Sequence, residues 1–560
     1  MENAVKFKYF GAMLDCSRNA VMTVEQVKKF MSLLKKMGYN CLGLYLEDTY
    51  EVEGEPYFGH FRGRYSKAEL KEIDDFGYSI GIEVVPYIQT LAHFNQLLKW
   101  PQYAAFSEGD GFTLLVDDER TYKLIDKLFA TMRECFRTKR ITVGMDEAVN
   151  VGNRRYRDIH GEVDRVDVLL RHMNKVAEMA EKYDFEPTCW PGMLRKMVTG
   201  AYTIDSTIDY KTDKRILEQF PKNMAVQTGD YNQHRKENSE EILTSKIKLN
   251  KDFFHKDNVS FLGGCWKWAS FAPRNELAII NSYYCIKCAL ECGVEEYYTS
   301  LWGDDGAESS IYSVLPALVA NACFARGITD PEALKQKFNE WTGENFDDYM
   351  LVDKPDYTPD YMIGFAINLS KYAFYNDCFL GKCDSMIAPY DAANYAEYAK
   401  QLFAAADRAG EYKYIYDFYA NLSNVLALKA DIGIRTRKWY DSGRDAETLD
   451  LLIKDYKEIS VRLEAFYEAF HTVWYKENKP QGFEVQDIRV GGLMRRVKNC
   501  TRTLEDYRDK KLDKILELEE KTLPAFDPMP GLPYSGVEVE GSVQRRYMLD
   551  WQEMVTTNII

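Results

Sequence analysis

Residues Arg140–Glu147 read RITVGMDE. A β-branched run, Ile-Thr-Val, meets a glycine and then two adjacent carboxylates. A helical stretch follows from Asp164 to Tyr183. A short apolar strand trailed by an amphipathic helix is the βα unit, in which the helix crosses over so that the next strand runs parallel. The same pairing recurs on both sides. Upstream, Phe7–Leu14 precedes a helix from Val24 to Met37 that Gly38 ends. Cys41–Asp48 precedes Lys67–Tyr78, and Ile82–Thr90 precedes helical segments that close with LFATMRECF. Downstream come Pro187–Trp190, then Met224–Asp230 with a helix from Glu240. Val259–Trp268 follows, with a helix from Glu276, and last Glu296–Asp305, with a helix from Ile311. Eight such units in about 320 residues fit an α/β (β/α)8 TIM barrel better than an open sheet. No GxGxxG follows the first strand to favour a dinucleotide fold.

From about Thr329 strand-like runs nearly vanish. Helical stretches are predicted at Tyr361–Phe379, Ala392–Ala409, Lys413–Ile434, Ala446–Tyr475 and Val485–Glu520. The expected organisation is therefore a barrel over residues 1–328. An all-helical C-terminal domain over 329–560 follows, with an irregular Pro/Gly-rich tail from Leu523 to Ser535.

Acidic residues outnumber basic ones 87 to 72, a formal charge of −15. No net field draws phosphates in, which argues against nucleic acid and anionic membranes as partners. No run of 18 apolar residues occurs, so no membrane span is expected. Lys6 and Lys8 interrupt the N-terminus and no signal-like apolar run follows, which points to a cytoplasmic protein. Twelve cysteines scattered through a large chain read as reduced thiols. Cys285, Cys288 and Cys292 share one face of a helix, and no second CxxC supplies further ligands, so a buried helix face is favoured over a metal site. No HxH or HExxH spacing occurs; neither a metal nor another cofactor is expected.

Active sites of such barrels lie at the C-terminal strand ends. Those ends offer Asp15 and Arg18, Glu47 and Asp48, Gln89 and His93, Asp146 and Glu147, Trp190, Asp230 and Tyr231, Trp266 and Trp268, and Trp302, Asp304 and Asp305. A mouth rich in carboxylates and indoles with few basic groups suits a sugar better than a phosphate. Strand neighbours point to opposite faces, so Asp146 and Glu147 can share a pocket only if the strand ends there and the backbone turns. Two carboxylates in one pocket push one proton affinity up, as acid-catalysed glycoside cleavage requires. A solvated Asp-Glu at a strand end, core tryptophans and a hydrogen-bonded structural histidine are the plainer alternatives.

Taken in order, MLDCSRNAV, LYLEDTYEVEGEPYFGHFRGRYS, VVPYIQTLAHF, ITVGMDEA, GGCWKW and LWGDDGAE resemble glycoside hydrolase family 20, the β-N-acetylhexosaminidases. Within it they are most similar to the hexosaminidase D-like branch, as is the C-terminal NKPQGFEVQDIRVGGLMRR. The resemblance implies an exo-acting retaining enzyme that removes terminal β-linked GlcNAc or GalNAc. The substrate's own acetamido oxygen is then the nucleophile, and an oxazolinium forms. Glu147 would be the general acid and base. Asp146 would hold the acetamido N–H, and its charge would lift the pKa of Glu147. Tyr231 would bind the acetamido oxygen, and Arg18 and Asp304 sugar hydroxyls. Trp190, Trp266 and Trp302 would wall the acetamido pocket with Trp268 close by, and His93 would support the acid. Three positions depart from the family pattern. Gly-Met precedes the acid pair where many relatives have Gly-Gly, strand five reads TCWPGM without an aspartate after the tryptophan, and strand eight offers Asp304 or Asp305 where many relatives have glutamate. Other readings are a glycosidase with a protein nucleophile (Glu47, Asp48 or Asp304) and a non-catalytic sugar-binding protein. The helical extension is of a kind that makes homodimer contacts.

Overall fold

The computed structural model describes residues 4–203, 213–232, 238–257, 259–357, 368–523, 537–539, 543–545 and 550–558. Eight parallel strands close a barrel in the order β1 to β8, with β1 paired to β8. They are β1 (Tyr9–Asp15), β2 (Cys41–Tyr45), β3 (Glu83–Tyr87), β4 (Arg140–Thr142), β5 (Glu186–Cys189), β6 (Ala225–Gly229), β7 (Ser260–Gly264) and β8 (Glu296–Leu301). The α/β barrel expected from the βα repeats is therefore present.

The helices form where the pattern places them, and for local reasons. Val24–Met37 is capped by Thr23, whose hydroxyl accepts from Gln26 N, and Gly38 closes it at φ 89, a left-handed cap that glycine adopts without strain. Lys67–Ile80 opens on a capping box between Ser66 and Glu69. Several strands are shorter than their apolar runs. Strand β7 stops at Gly264, before the two tryptophans, and β8 stops at Leu301, before the two aspartates. Strand β4 stops at Thr142, four residues before the acid pair.

Inside the barrel Met13, Cys41, Tyr45, Val85, Tyr87, Leu262 and Tyr298 pack into one cluster, against which Tyr9, Trp190, Tyr231 and Trp302 lie half-buried. The first residue of β4, Arg140, supplies charge to that interior. Its guanidinium donates to Glu83 (2.7 Å) and Glu296 (2.5 Å) and stacks over the Tyr9 ring at 3.9 Å. All twelve cysteines are free. Cys285 and Cys288 are buried on the helix Asn275–Glu291, their thiols facing the Asp230 and Glu240 carbonyls at 3.7 Å.

The chain divides into two compact units. The first runs to Cys265 and adds Ala278–Trp302 and Ala317–Lys337; the second comprises Trp266–Leu277, Gly303–Pro316 and the chain from Phe338 onward. The second unit is built on four long helices, Asp391–Arg408, Lys413–Lys429, Ala446–Glu477 and Phe483–Arg508. Its core gathers Phe271, Phe374, Phe418, Phe466 and Phe470 in mostly edge-on contacts. The fully buried Lys371 pairs with Asp305 (2.7 Å) and Glu308 (2.5 Å), and Arg489 reaches the same two carboxylates. The helix expected over Tyr361–Phe379 is observed as Leu369–Tyr375, and residues 358–367 lie outside those described, as does the tail from 524 to 535. The helix expected over Val485–Glu520 ends at Arg508; a separate turn, Leu516–Glu519, follows. Among the described residues no helix is long and apolar enough to cross a membrane.

Candidate active site

Beyond β4 the backbone leaves the strand conformation abruptly. Val143 N still donates to Thr188 O at 2.8 Å, but Gly144 (φ 66), Met145 (φ 75) and Glu147 (φ 52) are all left-handed. For side-chain-bearing residues this costs about 1–3 kcal/mol each and persists only when surroundings impose it. Gln89, on the loop after β3, imposes it. Its Oε1 accepts from Met145 N (3.2 Å), while Nε2 donates to Asp146 Oδ1 (2.7 Å) and to the Tyr45 hydroxyl (3.0 Å). A Cβ on Gly144 would overlap the Gln89 amide, so this turn requires glycine by space as well as by φ.

The turn brings both carboxylates to His93. His93 Nε2 is 3.1 Å from Asp146 Oδ2 and 3.6 Å from Glu147 Oε2, and Nδ1 is 3.3 Å from Glu47 Oε1. Glu47 also accepts from Arg18 (2.7 Å) and from Tyr45 (2.9 Å). The chain Arg18–Glu47–His93–Asp146 thus alternates in charge and draws on the ends of β1, β2, β3 and β4. The Asp146 side chain is 17% exposed and that of Glu147 62%, so the first is held inside and the second stands at the opening.

Charge follows from this chain. Burial alone would push the His93 pKa down, but Asp146 and Glu47 outweigh it and carry it up to about 10. Burial would likewise raise Glu47 and Asp146. Arg18 and His93 hold Glu47 down at about 2, and His93 with Gln89 holds Asp146 below the ordinary aspartate value. His93 is therefore a cation that donates from both nitrogens. The His93, Asp146 and Glu147 ligand atoms lie within 4.8 Å of one another, a spacing that would suit a metal. With both nitrogens protonated, Nε2 donates to Asp146 and Nδ1 to Glu47, which makes these contacts a hydrogen-bonded relay.

Beside Asp146 lies a cavity of about 280 Å³ with Trp190, Tyr231, Trp302 and Tyr202 in its walls. Trp190 and Trp302 meet edge to face at 5.8 Å, and both pack on Tyr45. Trp190 Nε1 donates to Gln227 Oε1 at 2.7 Å, which fixes the indole plane. Deeper in, Asp230 and Lys246 form a buried ion pair, and Arg195, whose pKa burial lowers to about 10, bonds Asn250 and the Tyr202 carbonyl.

Of the residues singled out in the sequence, Arg18, His93, Asp146, Glu147, Trp190, Tyr231 and Trp302 come together in the first unit. Trp266, Trp268 and Asp304 belong to the second. There Trp266 and Trp268 are buried and stacked on each other at 3.9 Å. Asp304 and Asp305 both line a hollow with Ala269, Ile488 and Trp551, and Asp305 is engaged by Lys371, Arg489 and the Trp551 backbone N–H. Part of the segment TGDYNQH that carries Tyr231 lies outside the described residues. Sequence reasoning assigned no role to Tyr45, Gln89, Tyr202, Gln227 or Lys246. Gln227 carried a signal, being a polar residue inside a strand buried on both faces; Tyr202 sits in a loop with none.

A family model described as "Glycosyl hydrolase family 20, catalytic domain" matches residues 7–246, and one described as "Glycoside Hydrolase 20C C-terminal domain" matches residues 347–531. The chain belongs to glycosyl hydrolase family 20. Both units of this family 20 chain are thus represented, and Asp146, Glu147, His93 and Trp190 all fall within the catalytic match. Hexosaminidase D of Homo sapiens is 27% identical over 190 residues, which are 32% of this chain and 39% of that one. Hexosaminidase D of Bos taurus is 27% identical over 184 residues, 30% and 51% respectively. The match spans less than two thirds of either relative. A β-N-acetylhexosaminidase from Bacteroides fragilis superposes with a TM-score of 0.43 at 18% identity, covering 62% of this chain and 68% of that one.

Proposed function

We propose that the protein is an exo-acting, retaining β-N-acetylhexosaminidase that cleaves terminal β-linked N-acetylhexosamine by substrate-assisted catalysis. The observation that carries this is the left-handed turn at Gly144–Glu147. It sets an anionic Asp146 against an aromatic-walled hollow and leaves the neighbouring Glu147 exposed, 3.6 Å from the same histidine. The hollow suits an acetamido group, apolar at its methyl and polar at its N–H and carbonyl. Asp146, kept ionised by His93, accepts from the acetamido N–H, and Tyr231 donates to its oxygen. That oxygen attacks the anomeric carbon as Glu147 protonates the departing oxygen. An oxazolinium forms, and Glu147 then deprotonates the water that opens it. Holding the nucleophile in place this way can lower the barrier by about 7–11 kcal/mol. Arg18, held by Glu47, binds sugar hydroxyls. Glu47, tied to Arg18, Tyr45 and His93, is poorly placed to act as a protein nucleophile.

The test is a panel of aryl β-glycosides with and without the 2-acetamido group. Turnover confined to 2-acetamido substrates, with inhibition by N-acetylglucosamine-thiazoline, is expected. A covalent adduct with a 2-fluoro sugar would assign a protein nucleophile instead.

A further inference from the structure

A second hollow, of about 590 Å³, adjoins the acid pair at Glu147. Glu147 lines it, Asp146 does not, and Tyr202 lines both hollows. Its walls combine Phe112 and Met193 with two cations, Arg154 and Lys196. Among the described residues neither cationic side chain makes an ion pair or a side-chain hydrogen bond. The remaining anion in the lining besides Glu147, Asp110, is already satisfied. It accepts from Phe112 N (2.9 Å), Thr113 N (2.8 Å), the Thr113 hydroxyl (2.8 Å) and Asn150 Nδ2 (3.0 Å). Arg165, spent on the Val149 and Val151 carbonyls, adds a third positive charge behind this wall. In a chain of net charge −15, two cations without ion-pair partners balance the two carboxylates of this lining, Glu147 and Asp110, and offer an anion direct contacts.

A general acid stands on the leaving-group side of the bond it cleaves. We propose that this hollow receives the leaving group and that Arg154 and Lys196 select an anionic one, a carboxylate or sulfate on the sugar or aglycone released. The inference rests on the reading of Glu147 as the proton donor. Phe112 and Met193 cover the apolar body of that group, and the two flexible cations meet its charge at the rim.

The experiment uses the full chain and three aryl β-N-acetylglucosaminides of matched leaving-group acidity. One carries a ring carboxylate, one a ring sulfate and one a neutral carboxamide. We expect kcat/KM for at least one anionic substrate to exceed that for the neutral one by about 3- to 20-fold at low ionic strength, the range for two rim charge contacts. The ratio should fall towards one in high salt. It should also fall in the Arg154→Ala/Lys196→Ala double variant and invert in Arg154→Glu/Lys196→Glu. Which anion gains more distinguishes the two sources. Equal or lower turnover of both anionic substrates overturns the inference while leaving the glycosidase reading intact. Turnover of none overturns both.

Discussion

His93 Nε2 lies 3.1 Å from Asp146 Oδ2, and this contact sets the charge of both side chains. The imidazole pKa is carried up to about 10 and Asp146 is held low. His93→Asn keeps a residue that tolerates the positive φ of 62 but removes the cation. Removing one partner of a buried charge pair costs about 3–5 kcal/mol. A folded-state pKa above the unfolded value stabilises fully below about 6.5, and that stabilisation fades as pH rises towards 10. The Glu47 pKa, lowered to about 2, works in the opposite sense, and its stabilisation is lost as pH falls from about 4.5 to 2. The difference in Tm between wild type and His93→Asn should thus be largest near pH 5–6 and shrink steadily to pH 10. A difference that grows with pH would sink the assignment of a charged His93.

Glu147→Gln should lower kcat by about 10²–10⁴ on substrates with poor leaving groups, and much less on activated aryl glycosides, because only the former need a proton. Asp146→Asn should lower kcat by about 10²–10³ on both, since it weakens electrostatic support of the transition state. Steady-state kinetics with two leaving groups separates these roles.

Gly144→Ala places a methyl group against Gln89, the residue that orients Asp146. Strain plus the displaced amide should cost about 2–4 kcal/mol, measurable by urea unfolding. Activity should fall further than stability accounts for.

Trp190→Phe retains an aromatic wall and loses the 2.7 Å bond to Gln227. The expected destabilisation is about 1 kcal/mol. KM for a 2-acetamido substrate should rise more than kcat falls, because the ring loses its fixed plane.

Lys246→Met leaves Asp230 buried without its cation, and both side chains are 6% exposed. We expect a loss of about 3–5 kcal/mol. The Asp230→Asn/Lys246→Met double variant should recover most of it, as thermal unfolding of the cycle will show.

Much of the barrel was legible. The runs Phe7–Leu14, Cys41–Asp48, Ile82–Thr90 and Glu296–Asp305 overlap β1, β2, β3 and β8, and helices such as Val24–Met37 carry periodicity and cap residues that act locally. The site was legible as a set of strand-end residues because parallel strands present their C-terminal ends together. Its wiring was not. Gln89 and Asp146 are 57 positions apart, and His93 and Asp146 are 53 apart, so no local pattern pairs them. The division of the tryptophans, with Trp190 and Trp302 in one unit and Trp266 and Trp268 in the other, was equally invisible in the spacing of the strands.

By itself the sequence determined the alternation of strand and helix, the adjacency of Asp146 and Glu147, and the glycine that lets the chain turn before them. These depend on side-chain periodicity and on the backbone freedom of single residues. Only the tertiary structure decided that Met145 and Glu147 accept left-handed conformations, that His93 is charged, and that Lys371 and Arg489 engage Asp305. Those outcomes come from contacts between distant segments in a buried, weakly screened interior, where a neighbour 3 Å away outweighs any preference a residue carries along the chain.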